Sequence, residues 1–442
     1  MAPVTFPNKY FYHFTHLDNI ESIIENGLIS TNEKKKNGIT HVNVANERIQ
    51  GRRSNMIVPC HPNGTIHDYV PFYFATTNPM LLSVVNRKNI DQPLVVYLAI
   101  SIDKIQNSNV IFTDGSANRN TAPNFYSEPN DLDKLSWDKI NITTWKKGTP
   151  DELHARMAEV LVYQKVPLDW IDSFIVYNQI GEEYIKKIFK EKGLGKPPIS
   201  LQPFDSRFLY FTKFLMKGRE NETLVTGPRF LKFLFENNVD SIIESRSENE
   251  PSSPAFQDVE DALNKIKDNF CIIDELDGIY QLETSNEMHN QKVCDHTKEV
   301  VKNLDLISYY NDLDDDDKAL VKLAAYFHDI GKGPKSKWQD GIQSNYPDHP
   351  ADSLKMMKRI LVEEFEELTK YQIRLICLLV GYHDLIGDIL KKDRSEKEIV
   401  DLGLNENELS MLAAISLADV KSIKPSWYRG LLIEIPDFIE RL

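Results

Sequence analysis

Imidazoles and carboxylates recur in the last third of this 442-residue chain in an order that can hold a divalent ion. His296, the adjacent pair His328-Asp329, and Asp419 fall on separate helical segments, with His349, His383 and Asp384 between them. Imidazole nitrogens and carboxylate oxygens suit ions such as Mn, Fe, Ni, Co or Mg. A bound ion would lower the pKa of its water and place hydroxide beside a phosphoester. Lys332, in the following turn, could meet the phosphate charge. A lone His-Asp dipeptide carries little information, since most are surface or satisfied core residues. The ordered series Cys294-Asp295-His296-Thr297, Phe327-His328-Asp329-Ile330-Gly331-Lys332, Asp348-His349-Pro350, Tyr382-His383-Asp384 and Leu417-Ala418-Asp419 carries more.

The first part of the chain offers different chemistry. Phe11-Tyr12-His13-Phe14-Thr15-His16 alternates aromatic and polar groups, and His67-Asp68-Tyr69-Val70-Pro71-Phe72-Tyr73-Phe74 is unusually aromatic. Aromatic strands are ordinarily core. A single acid, Glu159, sits among apolar neighbours in Met157–Tyr163. Burying a carboxylate without a partner is costly. A buried pair with an arginine is the structural explanation, and Arg52, Arg53 or Arg156 could each supply it. There is no Walker loop and no GxGxxG.

These residues need elements to hold them. Leu17, Ile20, Ile23 and Ile24 have helical spacing closed by Gly27, whereas 93–102, 160–163 and 174–177 are β-branched or aromatic runs, so the first part is α+β. From Asp258 onward the periodicity is helical, and the acid run Asp314–Asp317 marks a helix start rather than a calcium loop. Gly/Pro-rich 191–204 and polar 245–258 read as joints. The expected division is 1–192, a helical connector 193–270, and an all-α domain 271–442. Within the connector, Phe208, Leu209, Phe211, Phe214 and Leu215 read as one helix and Leu231, Phe233 and Leu234 as another.

Composition narrows the classes. The chain has 41% hydrophobic and 27% charged residues, values of a folded protein rather than a disordered one. Net charge is −14, yet residues 1–190 carry 20 basic and 20 acidic side chains, so the acidic excess lies beyond them. Non-specific coating by nucleic acid is therefore not expected, although a polyanion can be held locally in the neutral part. The small clusters there, Lys34–Lys36, Arg52-Arg53, Arg87-Lys88 and Lys146-Lys147, read first as solvated surface. Four scattered cysteines argue against disulfides or a thiolate zinc site, no apolar run can span a bilayer, and no secretion signal opens the chain. A cytoplasmic protein without membrane partners is expected.

With these motifs assembled, residues 275–425 resemble the HD-domain metal-dependent phosphohydrolases. The resemblance implies metal held by His296, His328, Asp329 and Asp419, with His349 and His383 serving a second ion or the phosphate. Residues 1–180, through YHFTHLDNIESIIENGL, the Arg52-Arg53 approach to Val58-Pro59, HDYVPFYF followed by NPML, and AEVLVYQKVP, resemble the DarT family of DNA ADP-ribosyltransferase toxins. That resemblance implies a split-sheet ADP-ribosyltransferase fold with NAD bound between two small sheets. Glu159 would stabilise the oxocarbenium-like ribose, Arg53 would be the catalytic arginine with Arg52 its competitor, and His13, Thr15, Asn19 and Tyr73 would hold NAD. The implied acceptor is a base of single-stranded DNA, thymine favoured over guanine, though Thr77-Asn78 stands where the family often has Arg-Ser. A separate antitoxin or de-ADP-ribosylating protein is an expected partner, and the HD domain would process or regulate the reaction. The alternative reading puts the main activity in the HD half, acting on nucleotides or nucleic-acid ends, with a degenerate nucleotide-sensing first half.

Overall fold

The structure, a computed structural model, describes residues 9–44, 47–117, 122–145, 148–201, 209–211, 225–248, 250–285, 291–338, 340–344, 346–391 and 393–442. The chain divides into two compact units, Met1–Asn86 with Ile90–Phe211, and Thr212–Leu442 with Arg87–Asn89. The first is α+β and the second helical.

The strands of the first unit's main sheet are Tyr10–His16 (β1), Tyr69–Tyr73 (β2), Val95–Ser101 (β3), Val110–Thr113 (β4), Phe125–Tyr126 (β5), Glu159–Tyr163 (β6), Ser173–Val176 (β7) and Ile199–Leu201 (β8). They lie in the order β8-β7-β3-β1-β2-β6-β4-β5. Within this sheet only β8 and β7 run parallel. The third strand, β3, is buried along almost its whole length, which explains why it reads as a continuous apolar run rather than an alternating one. The first strand, β1, pairs with β3 from Tyr10↔Ser101 to His16↔Val95, but with β2 only at Tyr12↔Tyr73. The expected split sheet is thus two four-stranded halves that meet at one register pair.

Pro71 sits at this split. In an extended strand a residue's N–H and C=O point the same way, so Pro71 faces β1 with an acceptor and no donor. The acceptor is met by a side chain instead, His13 Nδ1 at 2.8 Å. The two half-sheets share a core of Phe11, Phe72, Leu98, Phe112, Val160 and Phe174.

Helices Ile20–Asn26 (α1), Thr31–Lys36 (α2) and Glu47–Arg53 (α3) follow β1. Helix α1 ends where expected, at Gly27. The φ of Gly27 is 73°, and a Cβ added there would lie 2.7 Å from the Val166 carbonyl oxygen. Only glycine suits both conditions. Helix α2 is fixed at both sides. Ser30 caps it by accepting from Glu33 N–H. Asn32 Nδ2 donates to Asp68 Oδ1 at 2.7 Å. Of the segment expected as a connector, β8 and 209–211 belong to the first unit. Residues 209–211 are not helical. Tyr210 Oη donates to the Val95 and Ile175 carbonyls, and Phe211 exchanges two hydrogen bonds with the Gln92 side chain. The rest of that expected helix lies outside the described residues. The second expected helix is Pro228–Glu248 in the other unit.

The helices that carry the second unit's chemistry are Val293–Leu304 (α4), Asp315–Phe327 (α5), His349–Glu363 (α6), Lys370–Tyr382 (α7), Glu406–Ile423 (α8) and Pro425–Arg441 (α9). Asp314 caps α5 by accepting from Asp317 N–H at 2.8 Å. The acid run is therefore the helix start that it read as. Helix α7 is buried from Leu375 through Tyr382 and α8 from Met411 through Val420. Among the described residues, no helix is long and apolar enough to cross a membrane.

Candidate active site and metal centre

A cavity of about 510 Å³ opens in the first unit beside the split in the sheet. His13 and Thr15 from β1, Asn19 before α1, Arg53 from α3 and Tyr73 from β2 all line it. Five of the six expected residues of this half therefore share one wall. The sixth, Glu159, begins β6 directly opposite Tyr73 and is fully buried behind Arg53. Arg53 Nη1 donates to Glu159 Oε1 at 2.7 Å and Nη2 to Oε2 at 2.8 Å. Such a bidentate pair is among the stronger charge-assisted contacts. The backbone N–H of Ala117 adds a longer contact to Oε1 at 3.4 Å.

This geometry settles which arginine meets the acid. Arg52 is exposed, and Arg156 donates elsewhere, to the Thr77 carbonyl and hydroxyl and to the Thr144 carbonyl. Burial alone would lower the Arg53 pKa, but the charge of Glu159 and its hydrogen bonds outweigh burial and raise it. Burial, then Glu159, push the Tyr73 phenol well up, so it is a neutral O–H donor. Tyr73 stacks on Phe14, with ring centroids 6.2 Å apart and planes 17° off parallel.

Asn19 acts through the chain around it. Its Nδ2 donates to Thr15 Oγ1 and to the Val42 carbonyl, and its Oδ1 accepts from Val42 N–H at 2.8 Å. One side chain thereby ties the end of β1 to the segment that closes the cavity.

His13 is neutral. Burial pushes its pKa down to about 4 despite the Pro71 carbonyl, with Lys34 and His41 pushing further. Because a carbonyl only accepts, the proton is on Nδ1, and the Nε2 lone pair is left for a ligand hydroxyl. The linkage has a definite sign. A folded-state pKa below the unfolded 6.5 means that the unfolded chain takes up the proton first as pH falls. The stability contributed by neutral His13 is complete above pH 6.5 and is lost progressively down to pH 4, by about 1–3 kcal/mol. Urea unfolding of wild type and His13→Gln at pH 7.5 and 4.5 should show a steeper acid loss for wild type; parallel losses would refute the assignment.

Sequence reading missed His41, Gln50 and His67 as site residues; they line the same cavity, together with Lys34. His67 Nε2 lies 3.1 Å from Gln50 Oε1. Lys34 was legible as one member of a basic cluster that could hold a polyanion, though such clusters read first as solvated surface.

In the second unit the expected metal ligands converge. His296 comes from α4, His328 and Asp329 from the end of α5, His349 from the start of α6, His383 from the end of α7, and Asp419 from α8. Gly331 allows the approach of α6, since a Cβ there would lie 2.1 Å from the His349 carbonyl. The Gly331 N–H donates to Ser353 Oγ at 2.8 Å. His296 Nε2 is 3.0 Å from Asp419 Oδ1 and 3.4 Å from Asp329 Oδ2, and His328 Nε2 is 3.4 Å from Asp329 Oδ2. Ligand atoms of His296, His328 and Asp419 lie within 4.8 Å of one another, as do those of His328, Asp329 and His383.

The donor chemistry fits a cation. Nδ1 of His328, His349 and His383 points at the carbonyls of Ala325, Tyr346 and Val380, so each carries its proton there. His296 Nδ1 meets Ser422 Oγ at 2.8 Å, while Ser422 spends its own proton on the Asp419 carbonyl. All four rings therefore aim an Nε2 lone pair inward. Two such nitrogens face each other at 3.3 Å (His296, His328) and two at 3.2 Å (His349, His383). Asp329 Oδ1 is buried without a hydrogen bond, 3.2 Å from His349 Nε2. Facing lone pairs and an orphaned carboxylate oxygen repel each other unless positive charge sits among them. Burial, reinforced for His349 by Lys332, keeps these two rings neutral. Lys332 Nζ contacts Asp329 Oδ2 at 2.6 Å and lines the adjoining cavity with Asp384, Asp388, Lys391 and Trp427. Ser422 was not anticipated, although its place one turn after Asp419 was readable.

Both halves match known families. Residues 12–210 match the family described as "ssDNA thymidine ADP-ribosyltransferase, DarT", and residues 293–419 match the HD domain. The first part is 33% identical over 199 residues to the DNA ADP-ribosyl transferase of Thermus sp. (strain 2.9), covering 43% of this chain and 92% of that relative. This chain belongs to the DarT family. A second DarT-type relative, the DNA ADP-ribosyl transferase of Escherichia coli O127:H6, is 29% identical over 178 residues, covering 38% of this chain and 80% of the relative. The solved structure of Thermus sp. 2.9 DarT in complex with ADP-ribosylated ssDNA is 27% identical with a TM-score of 0.42, covering 48% of this chain and all of that one. The DarT match ends at Tyr210, the residue that staples 209–211 to the sheet.

Proposed function

We propose that the first unit transfers ADP-ribose from NAD to a base of single-stranded DNA, thymine rather than guanine, as a toxin or defence enzyme. The observation that carries this reading is the Arg53–Glu159 pair at the wall of the cavity that also holds His13, Thr15, Asn19 and Tyr73. The family description, which specifies thymidine, supports the acceptor.

In this reading the bond between the ribose carbon and the nicotinamide nitrogen breaks, nicotinamide leaves, and a base nitrogen takes its place on that carbon. Positive charge builds on the ribose as the old bond lengthens. A carboxylate beside the ribose hydroxyl stabilises that charge where it develops. Glu159 has this role and accepts the proton that the attacking nitrogen releases. Since Glu159 lies behind Arg53, the guanidinium moves aside to let the ribose reach the carboxylate. His13 Nε2 and the Thr15 hydroxyl hold the ribose and the carboxamide, Tyr73 packs beside nicotinamide, and Asn19 keeps the closing segment in register. Incubating the full chain with labelled NAD and single-stranded oligonucleotides should put label on thymine-containing strands, with none on thymine-free strands. Label on neither strand would overturn the proposal.

The second unit acts as a metal-dependent phosphohydrolase that processes or restrains the same reaction. His296, His328, Asp329 and Asp419 would hold the ion, which supplies an activated water and charge neutralisation. Lys332 meets the phosphate. The coupling of the two activities has its own test: Asp329→Ala should change cellular toxicity or the level of modified DNA, and no change in either would refute it.

A further inference from the structure

The cavity of the first unit is unbalanced in charge. Its lining includes Lys34, Lys35, Arg53, His13, His41 and His67, and no carboxylate among the described residues. Arg53 is neutralised by Glu159. Lys35 is exposed. Lys34 is different: it is half-buried, and among the described residues it makes no ion pair.

Resting on the reading of this cavity as the NAD site, we propose that Lys34 is the ligand of the dinucleotide's diphosphate. Three observations converge on it. First, Lys34 is central to the basic lining, near enough to His13, His41 and His67 to depress the pKa of each. Second, its position is built: the Ser30 cap and the Asn32–Asp68 bond hold both sides of α2, and of the three consecutive lysines only Lys34 is half-buried, Lys35 and Lys36 being exposed. Third, until the ribose displaces it, the other buried cation of the cavity is held by Glu159, to which both terminal nitrogens of Arg53 bind, so an arriving diphosphate meets Lys34 first. An ammonium held in a half-closed space without a counter-charge is costly, and a bound dianion removes that cost. The diphosphate is the anionic part of NAD. It separates the two ribosyl groups, so a lysine that fixes it also fixes how far the nicotinamide ribose reaches toward Glu159. Burial lowers the Lys34 pKa, and an anion at the same place restores the charged form.

The test uses the full chain and two probes, ADP-ribose, which carries the diphosphate, and nicotinamide riboside, which lacks it. Lys34→Met keeps the aliphatic stem and removes the charge; Lys34→Gln is the second variant should the first fold poorly, and melting curves report on both. Charge-assisted hydrogen bonds predict that either variant weakens ADP-ribose binding by about 10–100-fold. Nicotinamide riboside binding stays within about threefold, Lys34→Arg recovers most of the loss, and Lys36→Gln, on the same helix but outside the cavity lining, has little effect. With NAD as substrate, the Lys34 variants raise KM more than they lower kcat. Wild type that binds ADP-ribose no better than a folded Lys34→Met variant overturns the role of Lys34 alone. Wild type that binds neither probe overturns the reading of the cavity and the proposal with it.

Discussion

Replacing Glu159 with glutamine lowers ADP-ribose transfer by about 10²–10³-fold at saturating NAD, while NAD binding changes little. The acid is not at the surface of the cavity but behind a guanidinium to which it makes two hydrogen bonds, so its substitution has a second effect. Glu159→Ala leaves the Arg53 charge buried and unpaired, and costs about 3–5 kcal/mol of stability. The glutamine retains one acceptor and costs less. Arg53→Met combined with Glu159→Leu removes both charges and recovers most of the stability, yet remains inactive. Rate and stability thus separate across the series, and urea unfolding beside single-turnover transfer kinetics reads both. Transfer by Glu159→Gln within about threefold of wild type, or activity in the double variant, would be incompatible with the role assigned to the acid.

Asp329→Ala removes the metal. Asp329 faces Nε2 of His296 and of His328 at 3.4 Å and that of His349 at 3.2 Å, so one substitution takes away the carboxylate common to both halves of the ligand set. Wild-type chain dialysed against Mn²⁺ or Fe²⁺ should retain metal by elemental analysis. Its chelator-sensitive unfolding transition should gain about 2.7 kcal/mol at a metal concentration about 100 times Kd. In the variant both the retained metal and the stabilisation are lost. Equal metal content and equal response to chelator in the two proteins would contradict this site.

Much of this was readable from local pattern. His328-Asp329 at the end of a helical run, Asp419 within another, and one acid among Met157–Tyr163 are unusual in themselves, because apolar surroundings exclude charge that has no task. What local pattern cannot supply is the direction in which a helix is turned. Arg52 and Arg53 are neighbours in sequence but point about 100° apart on a helix. Only the placement of α3 decides that Arg53 is the buried one. Lys34, Lys35 and Lys36 form one charge run, and the Asn32–Asp68 bond, between residues 36 apart, selects Lys34 to face inward. The segment around Tyr210 has apolar residues at helical spacing, yet the hydrogen bonds of 209–211 go to Gln92, Val95 and Ile175. Long-range partners override periodicity where the backbone is satisfied by another element.

Three of the four inward-facing imidazoles are anchored through main-chain carbonyls, those of Ala325 and Val380 in the last turns of α5 and α7 and that of Tyr346 just before α6. A carbonyl is common to every amino acid, so substitution at those three positions leaves the aim of the rings intact provided that the helix ends stay in place. The neighbouring walls, where Lys391 and Trp427 stand, carry no such duty. If this unit hydrolyses phosphoesters as proposed, its substrate choice can therefore drift through mutation while the ion-binding ring set persists, which makes the scaffold a suitable starting point for redirecting that reaction by library selection.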